Sequence, residues 1–249
     1  MLSKVPEVTL IFWTIKLLST TVGETGADYL AVHVGLGTTL TMACTASLLI
    51  AALALQLRAS RYVPWIYWLT VVLVSIVGTQ ITDLLTDKLE ISLYVSTAVF
   101  ACTLIATFAI WYAAERTLSI RTIVTTRREL FYWATILFTF ALGTAAGDLA
   151  TEAFGLGFQL GVIAFGALIA FIAVFYKFGV DPVLTFWLAY ILTRPLGASL
   201  GDLLSQSRTY GGVGLGTIYT SLAFLTVIIA LVAWVTFEEE GSKTADPAQ

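Results

Sequence analysis

Four tryptophans, Trp13, Trp68, Trp133 and Trp187, are each followed ten residues later by a glycine (Gly23, Gly78, Gly143, Gly197) and five after that by an aspartate (Asp28, Asp83, Asp148, Asp202). Four copies at one spacing are an internal repeat, and a repeat limits the architecture before any single residue is weighed. The stretches between the copies are too apolar for a water-soluble globule. Of 249 residues 58% are hydrophobic and 12% charged, and the mean hydropathy is +0.90.

Eight spans follow, at approximately residues 8–30, 35–57, 64–86, 91–113, 129–151, 157–178, 183–205 and 213–237, each long enough to cross roughly 30 Å of hydrocarbon. The first reads as a retained span, because no small-residue cleavage site follows a basic region. Every motif opens an odd-numbered span and an even-numbered one follows, so the unit is a two-helix hairpin entering the membrane in the same direction four times. Repeats of that kind are parallel, related by a pseudo-symmetry axis along the membrane normal. The expected fold is an all-α membrane protein, one transmembrane domain over 1–237 with repeats at approximately 7–57, 62–114, 127–178 and 181–237. The polar segment 238–249 reads as a disordered cytoplasmic tail.

Lys4, Arg58, Arg61, Arg116, Arg121, Arg127, Arg128, Lys177 and Lys243 fall on the side of the termini, and only Lys88 and Arg208 fall opposite. That asymmetry predicts cytoplasmic termini. The connection from Glu115 divides the chain into halves and is basic enough to lie against an anionic leaflet. Four tandem repeats of two spans, each with its tryptophan, resemble a bacterial family of integral membrane proteins defined by that repeat and without a settled activity. The resemblance covers residues 7–237. It implies the eight-helix, four-repeat topology and a bacterial inner membrane, and carries no mechanism.

Four residues after each motif glycine stands Ala27, Thr82, Gly147 or Gly201, so Gly143 with Gly147 and Gly197 with Gly201 form full GxxxG faces. Residues four apart share a helix face, and small ones let backbones approach, so these glycines read as helix packing. Packing leaves the aspartate beside each pair unexplained. An ionisable group at a helix centre costs at least ~2.5 to 3.5 kcal/mol. With the tryptophans as interfacial anchors, each glycine lies roughly 15 Å deeper and each aspartate about 7 Å further. The aspartates then either meet inside the membrane or end their helices in water at the far interface.

Further acids accompany the motif: Glu24 follows the first glycine, and Asp87 and Glu152 come one turn after Asp83 and Asp148. Thr25, Thr79, Gln80, Thr82, Thr144 and Ser199 add oxygen donors, while Lys16 and Arg194 are cations within spans. Lys16 and Arg194 are expected as counter-ions or gating groups, with snorkelling as the bland alternative, the weaker one for Arg194. Pro195 is expected to open its helix near residues 193–197. A Gly-Leu-Gly at Gly35, Gly155 and Gly214 reads as a tight turn, or as helix N-termini aimed at the aspartates; Glu90 to Ser92 is the departure in the second repeat. His33 is expected at the outer interface, and Cys44 and Cys102 as small core residues.

Oxygen ligands without imidazole or thiolate suit Mg²⁺, Mn²⁺ or Ca²⁺. Carboxylates in such a place also carry protons. The expected function is an inner-membrane exporter or cation/proton exchanger for a Mn²⁺- or Mg²⁺-like ion. Glu24, Asp28, Asp83, Asp87, Asp148, Glu152 and Asp202 would bind the cation, and the four motif aspartates would ligate it. The alternative is a non-transporting scaffold or assembly or stress protein whose acids pair with Lys16 and Arg194. No nucleophile and base pair points to an enzyme. Nor is a cofactor expected, the metal being cargo. The partners expected are the bilayer, a small inorganic cation and protons, with no nucleic acid and with homo-oligomers left open.

Overall fold

A computed structural model describes residues 3–32 and 38–245. Eight long helices account for nearly all of it: α1 (Leu10–Val32), α2 (Thr38–Arg58), α3 (Pro64–Asp83), α4 (Leu93–Glu115), α5 (Thr126–Asp148), α6 (Gly157–Lys177), α7 (Pro182–Ser205) and α8 (Thr217–Ala245). Local chemistry sets several starts. Pro64 and Pro182 occupy first-turn positions where no amide hydrogen is needed. Asp181 accepts the Leu184 amide at 2.8 Å, and Ser92 and Thr125 cap α4 and α5 in the same way at 3.4 Å. The expected turn after α5 has Gly155 at φ +66°, and Glu90 takes the matching place in the second repeat at φ +53°. The repeats therefore share a turn even where glycine is missing.

The odd-numbered helices form a closed inner ring in which α1 packs on α3, α3 on α5, α5 on α7 and α7 on α1. Each outer helix packs on the odd helix of the following repeat: α2 on α3, α4 on α5, α6 on α7, and α8 back on α1. The two helices of one repeat are thus neighbours in sequence but splayed in space, unlike a compact hairpin. The small-residue faces explain the choice, because they let odd helices approach one another more closely than their own bulky successors. More than half of the apolar stretch is buried in α3, α5 and α7 (61%, 61% and 56%), against 28%, 17%, 6% and 11% in α2, α4, α6 and α8.

Those seven helices are long and apolar enough to cross a membrane. Helix α1 is equally long but carries Lys16, Glu24, Asp28 and a Ser-Thr-Thr run, all within the ring wall. Cys44 and Cys102, expected in the core, are exposed on α2 and α4. Hydrocarbon and a protein core favour the same apolar side chains, so composition does not separate the two sides of such a helix. Helix α8 continues through Ala245, where a disordered tail from Glu238 was expected. The segment contains helix-favouring Glu and Ala, and its first proline is Pro247. His33 and Gly35 lie outside the described residues.

At the end where the odd helices begin, the ring is closed by aromatic side chains. The aromatic residue before each motif tryptophan meets the tryptophan of the next odd helix: Phe12 with Trp68, Tyr67 with Trp133, Tyr132 with Trp187 and Phe186 with Trp13. Their ring centroids are 5.6, 5.5, 6.3 and 5.6 Å apart. Trp68, Trp133 and Trp187 are buried, so these tryptophans are members of a plug rather than interfacial anchors. Beneath it the chain's first residues are tied in. Lys4 Nζ donates to Glu129 Oε2 at 2.8 Å and to the Leu57 carbonyl at 3.1 Å, and Gln56 donates to Glu129 Oε1 at 3.0 Å. Lys4, expected among the exposed loop charges, is buried.

Candidate functional site

The motif glycines lie where the odd helices touch. A Cβ on Gly23 would overlap Ser75, one on Gly78 would lie 2.7 Å from Phe140 Cβ, one on Gly143 would overlap Arg194, and one on Gly197 would overlap Thr20. In every case the obstacle is the residue three positions before the next motif glycine. The second small residues continue the seam: Gly147 faces Pro195 and Ala198, and Gly201 faces Thr25 and Glu24. Thr82 donates its hydroxyl to the Ala141 carbonyl at 3.1 Å. Helix α7 remains continuous from Pro182 to Ser205 across Pro195, so the expected opening is absent. Close packing on the Gly147 face holds the proline in place.

Arg194 points from that seam onto the ring axis. One guanidinium nitrogen donates to Glu24 Oε2 at 2.8 Å, to Thr144 Oγ1 at 2.7 Å and to Thr79 Oγ1, while the other reaches the Thr20 carbonyl at 3.3 Å. Glu24, Thr79 and Thr144 are the residues directly after the motif glycines of the first three repeats. One arginine thus takes an equivalent partner from each of the other three helices. Burying a guanidinium is tolerable only where partners take up most of its donors; here both terminal nitrogens are engaged and Nε alone has no partner among the described residues. Lys16, one layer nearer the plug, is also buried and does not snorkel. It donates to Thr193 at 3.2 Å and stands 4.4 and 4.2 Å from the ring centres of Phe140 and Tyr190. Among the described residues it has no carboxylate partner.

Above Arg194 the ring widens into a cavity of about 330 Å³. Asp28, Asp83, Asp148 and Asp202 all line it, with Glu24 deeper and Asp87 and Glu152 towards the mouth. Asp202 and Glu24 are buried, the other motif aspartates are half-buried, and Asp87 and Glu152 are exposed. The aspartates therefore meet in one water-reachable space inside the ring. Directly after Asp83 and Asp148 the helices widen into single π turns, Leu84–Lys88 and Leu149–Ala153. These turns carry Asp87, Lys88 and Glu152, and such turns commonly re-aim side chains at functional sites. Thr41, Leu93 and Phe158 from the first turns of α2, α4 and α6 complete the wall, which brings three helix N-termini to the acids. Among the described residues no three acids, histidines or cysteines come close enough together to hold a metal ion directly.

Two features went unread in the sequence. One is the plug, although an aromatic residue precedes the motif tryptophan in all four copies. The other is the convergence on Arg194, whose signal is that position Gly+1 holds Glu24, Thr79 and Thr144. The π turns have no comparable signature.

A closed ring of parallel two-helix repeats, built from membrane-length helices around an acidic cavity, defines a multi-pass membrane protein. The chain belongs to the family described as Repeat of Unknown Function (DUF347), whose model matches residues 11–62, 66–117, 131–178 and 185–240. No curated protein and no solved structure matches it.

Proposed function

We propose that this protein is a transporter of the bacterial inner membrane that carries a divalent cation of the Mg²⁺ or Mn²⁺ kind in exchange for protons. The observation carrying the reading is the cavity: seven carboxylates from all four odd helices and their π turns, inside a ring of membrane-length helices. Such a concentration of acids is costly within a membrane and marks ion pathways. Its remaining polar lining is Thr and Gln with the Lys88 ammonium; the Thr, Gln and carboxylate oxygens are hard donors that favour Mg²⁺, Mn²⁺ or Ca²⁺ over soft metals. The carboxylates also serve as proton acceptors once the ion leaves. In this reading both termini are cytoplasmic, the cavity opens to the opposite side, and the aromatic plug closes the cytoplasmic end. The protein acts without a bound cofactor and without catalysing a reaction.

The scaffold alternative draws support from the Glu24–Arg194 pair. It does not account for the four motif aspartates, which have no ion pair among the described residues. Calorimetric titration of the detergent-solubilised protein with Mn²⁺, Mg²⁺ and Ca²⁺ separates the two. Saturable binding that weakens from pH 8 to pH 6 and disappears in Asp83→Asn/Asp148→Asn is expected, followed by the same loss in liposome flux. Absence of binding to all three ions would sink the transport reading and leave the scaffold.

A further inference from the structure

The size of the cavity and the spread of its acids bear on how a cation is held there. We infer that the cavity takes its divalent cation in hydrated form, the carboxylates bonding to the ion's water shell instead of to the ion; this rests on the transport reading. Direct coordination needs several oxygens converging at about 2.0 to 2.6 Å from one point. The carboxylates here are spread around a ring wall, and no three of the described acids approach that closely. The space is too large for a bare ion. At roughly 30 Å³ per liquid water, a cavity of about 330 Å³ holds an ion with a full inner shell of six waters and several waters beyond it.

A second observation is Asp202. It lines the cavity, is only 8% exposed, and has no hydrogen-bond or ion-pair partner for its carboxylate among the described residues. A buried carboxylate without a protein partner needs water or a cation in front of it. Gln80 and Gln206 offer further oxygens from the same wall, and Arg194 beneath is already occupied by Glu24, Thr79 and Thr144. The Glu24–Arg194 pair closes the ring beneath the aspartates. The site therefore offers carboxylate acceptors around a space that admits an ion together with its waters, over a floor that is already hydrogen-bonded. Such a site selects ions that give up water reluctantly, and among divalent ions this favours Mg²⁺ over Ca²⁺.

The test uses hexaamminecobalt(III), whose six ammonia ligands stay attached and present an octahedron of N–H donors in place of ordered waters. In calorimetric titration of the full chain in detergent, the complex should bind saturably and compete with Mg²⁺, while Ca²⁺ binds no more tightly than Mg²⁺. Asp202→Asn should weaken the complex and Mg²⁺ together by about 10- to 100-fold, the range typical of lost outer-shell partners. Binding of Mg²⁺ or Ca²⁺ that the complex does not compete with would overturn the inference and leave cation transport standing. Unchanged affinities in Asp202→Asn would overturn it as well, by placing the ion away from this wall. Absence of saturable binding by all three probes would remove both the inference and the transport reading.

Discussion

The two ends of the ring treat charge in opposite ways. At the plugged end one buried lysine, Lys4, meets one buried glutamate, Glu129, and Gln56 and the Leu57 carbonyl complete their hydrogen bonds. At the cavity end seven carboxylates share a single space with Lys88 on its rim, and among the described residues only Glu24 is ion-paired. A buried charge pair held by further side-chain and backbone hydrogen bonds fixes a structure in one arrangement. A surplus of one sign, reachable by water, is what the proposed cation exchange requires. On that proposal the same ring separates a part that holds from a part that binds, with Arg194 at the boundary.

The largest effect that would break this comparison is at Glu129. Glu129→Gln leaves Lys4 buried without a counter-charge, and removing one partner of a buried pair costs about 3–5 kcal/mol. Thermal unfolding in detergent should show that loss, while Asp148→Asn, which removes a charge from a crowded acidic space, leaves stability equal or raises it. Equal losses from both substitutions would mean that the cavity acids are as structural as the clamp.

A smaller effect distinguishes ring contacts from lipid-facing positions. A methyl group at Gly143 would collide with Arg194 and Pro195, whereas one at Gly166 on α6 meets nothing within 4 Å. Gly143→Ala should destabilise by about 1–3 kcal/mol through overpacking. Gly166→Ala should be neutral or stabilising by up to about 1 kcal/mol, since alanine is the better helix former. Unfolding midpoints of the two variants that moved together would argue against the inner-ring, outer-helix division.

That division also explains which parts of the molecule are legible in the amino-acid sequence. The repeat register and the eight helices follow from spacing, because one-dimensional periodicity survives folding; the same spacing puts Asp28, Asp83, Asp148 and Asp202 at one level but leaves open whether they meet inside the ring or end their helices in water. Partner choice does not follow. Nothing in the repeat states that α2 packs on α3 rather than α1, because that depends on relative closeness of competing faces. The same limit applies to Trp68, Trp133 and Trp187. A tryptophan near a span's end suits either an interface or a plug, and only the neighbouring helix decides. Lys4 is the sharpest case: a lone lysine before the first span reads as a loop charge, and only folding brings Glu129, 125 residues away in sequence, beside it.

The smallest expected effect concerns the thiols. Cys44 and Cys102 are exposed on α2 and α4, and the outward faces of those helices are the surfaces this architecture turns to hydrocarbon. Cys44→Ala and Cys102→Ala should each change stability by no more than about 0.5 kcal/mol, as for substitutions outside any packed contact. A nitroxide on either thiol in liposomes should be relaxed strongly by oxygen, which concentrates in lipid, and weakly by a water-soluble nickel chelate. The reverse preference at both positions would put water where the outer helices are assigned to lipid. The cavity would then lose its standing as the ring's distinctive wet surface, because a charged lining matters for transport only if the helices around it face hydrocarbon.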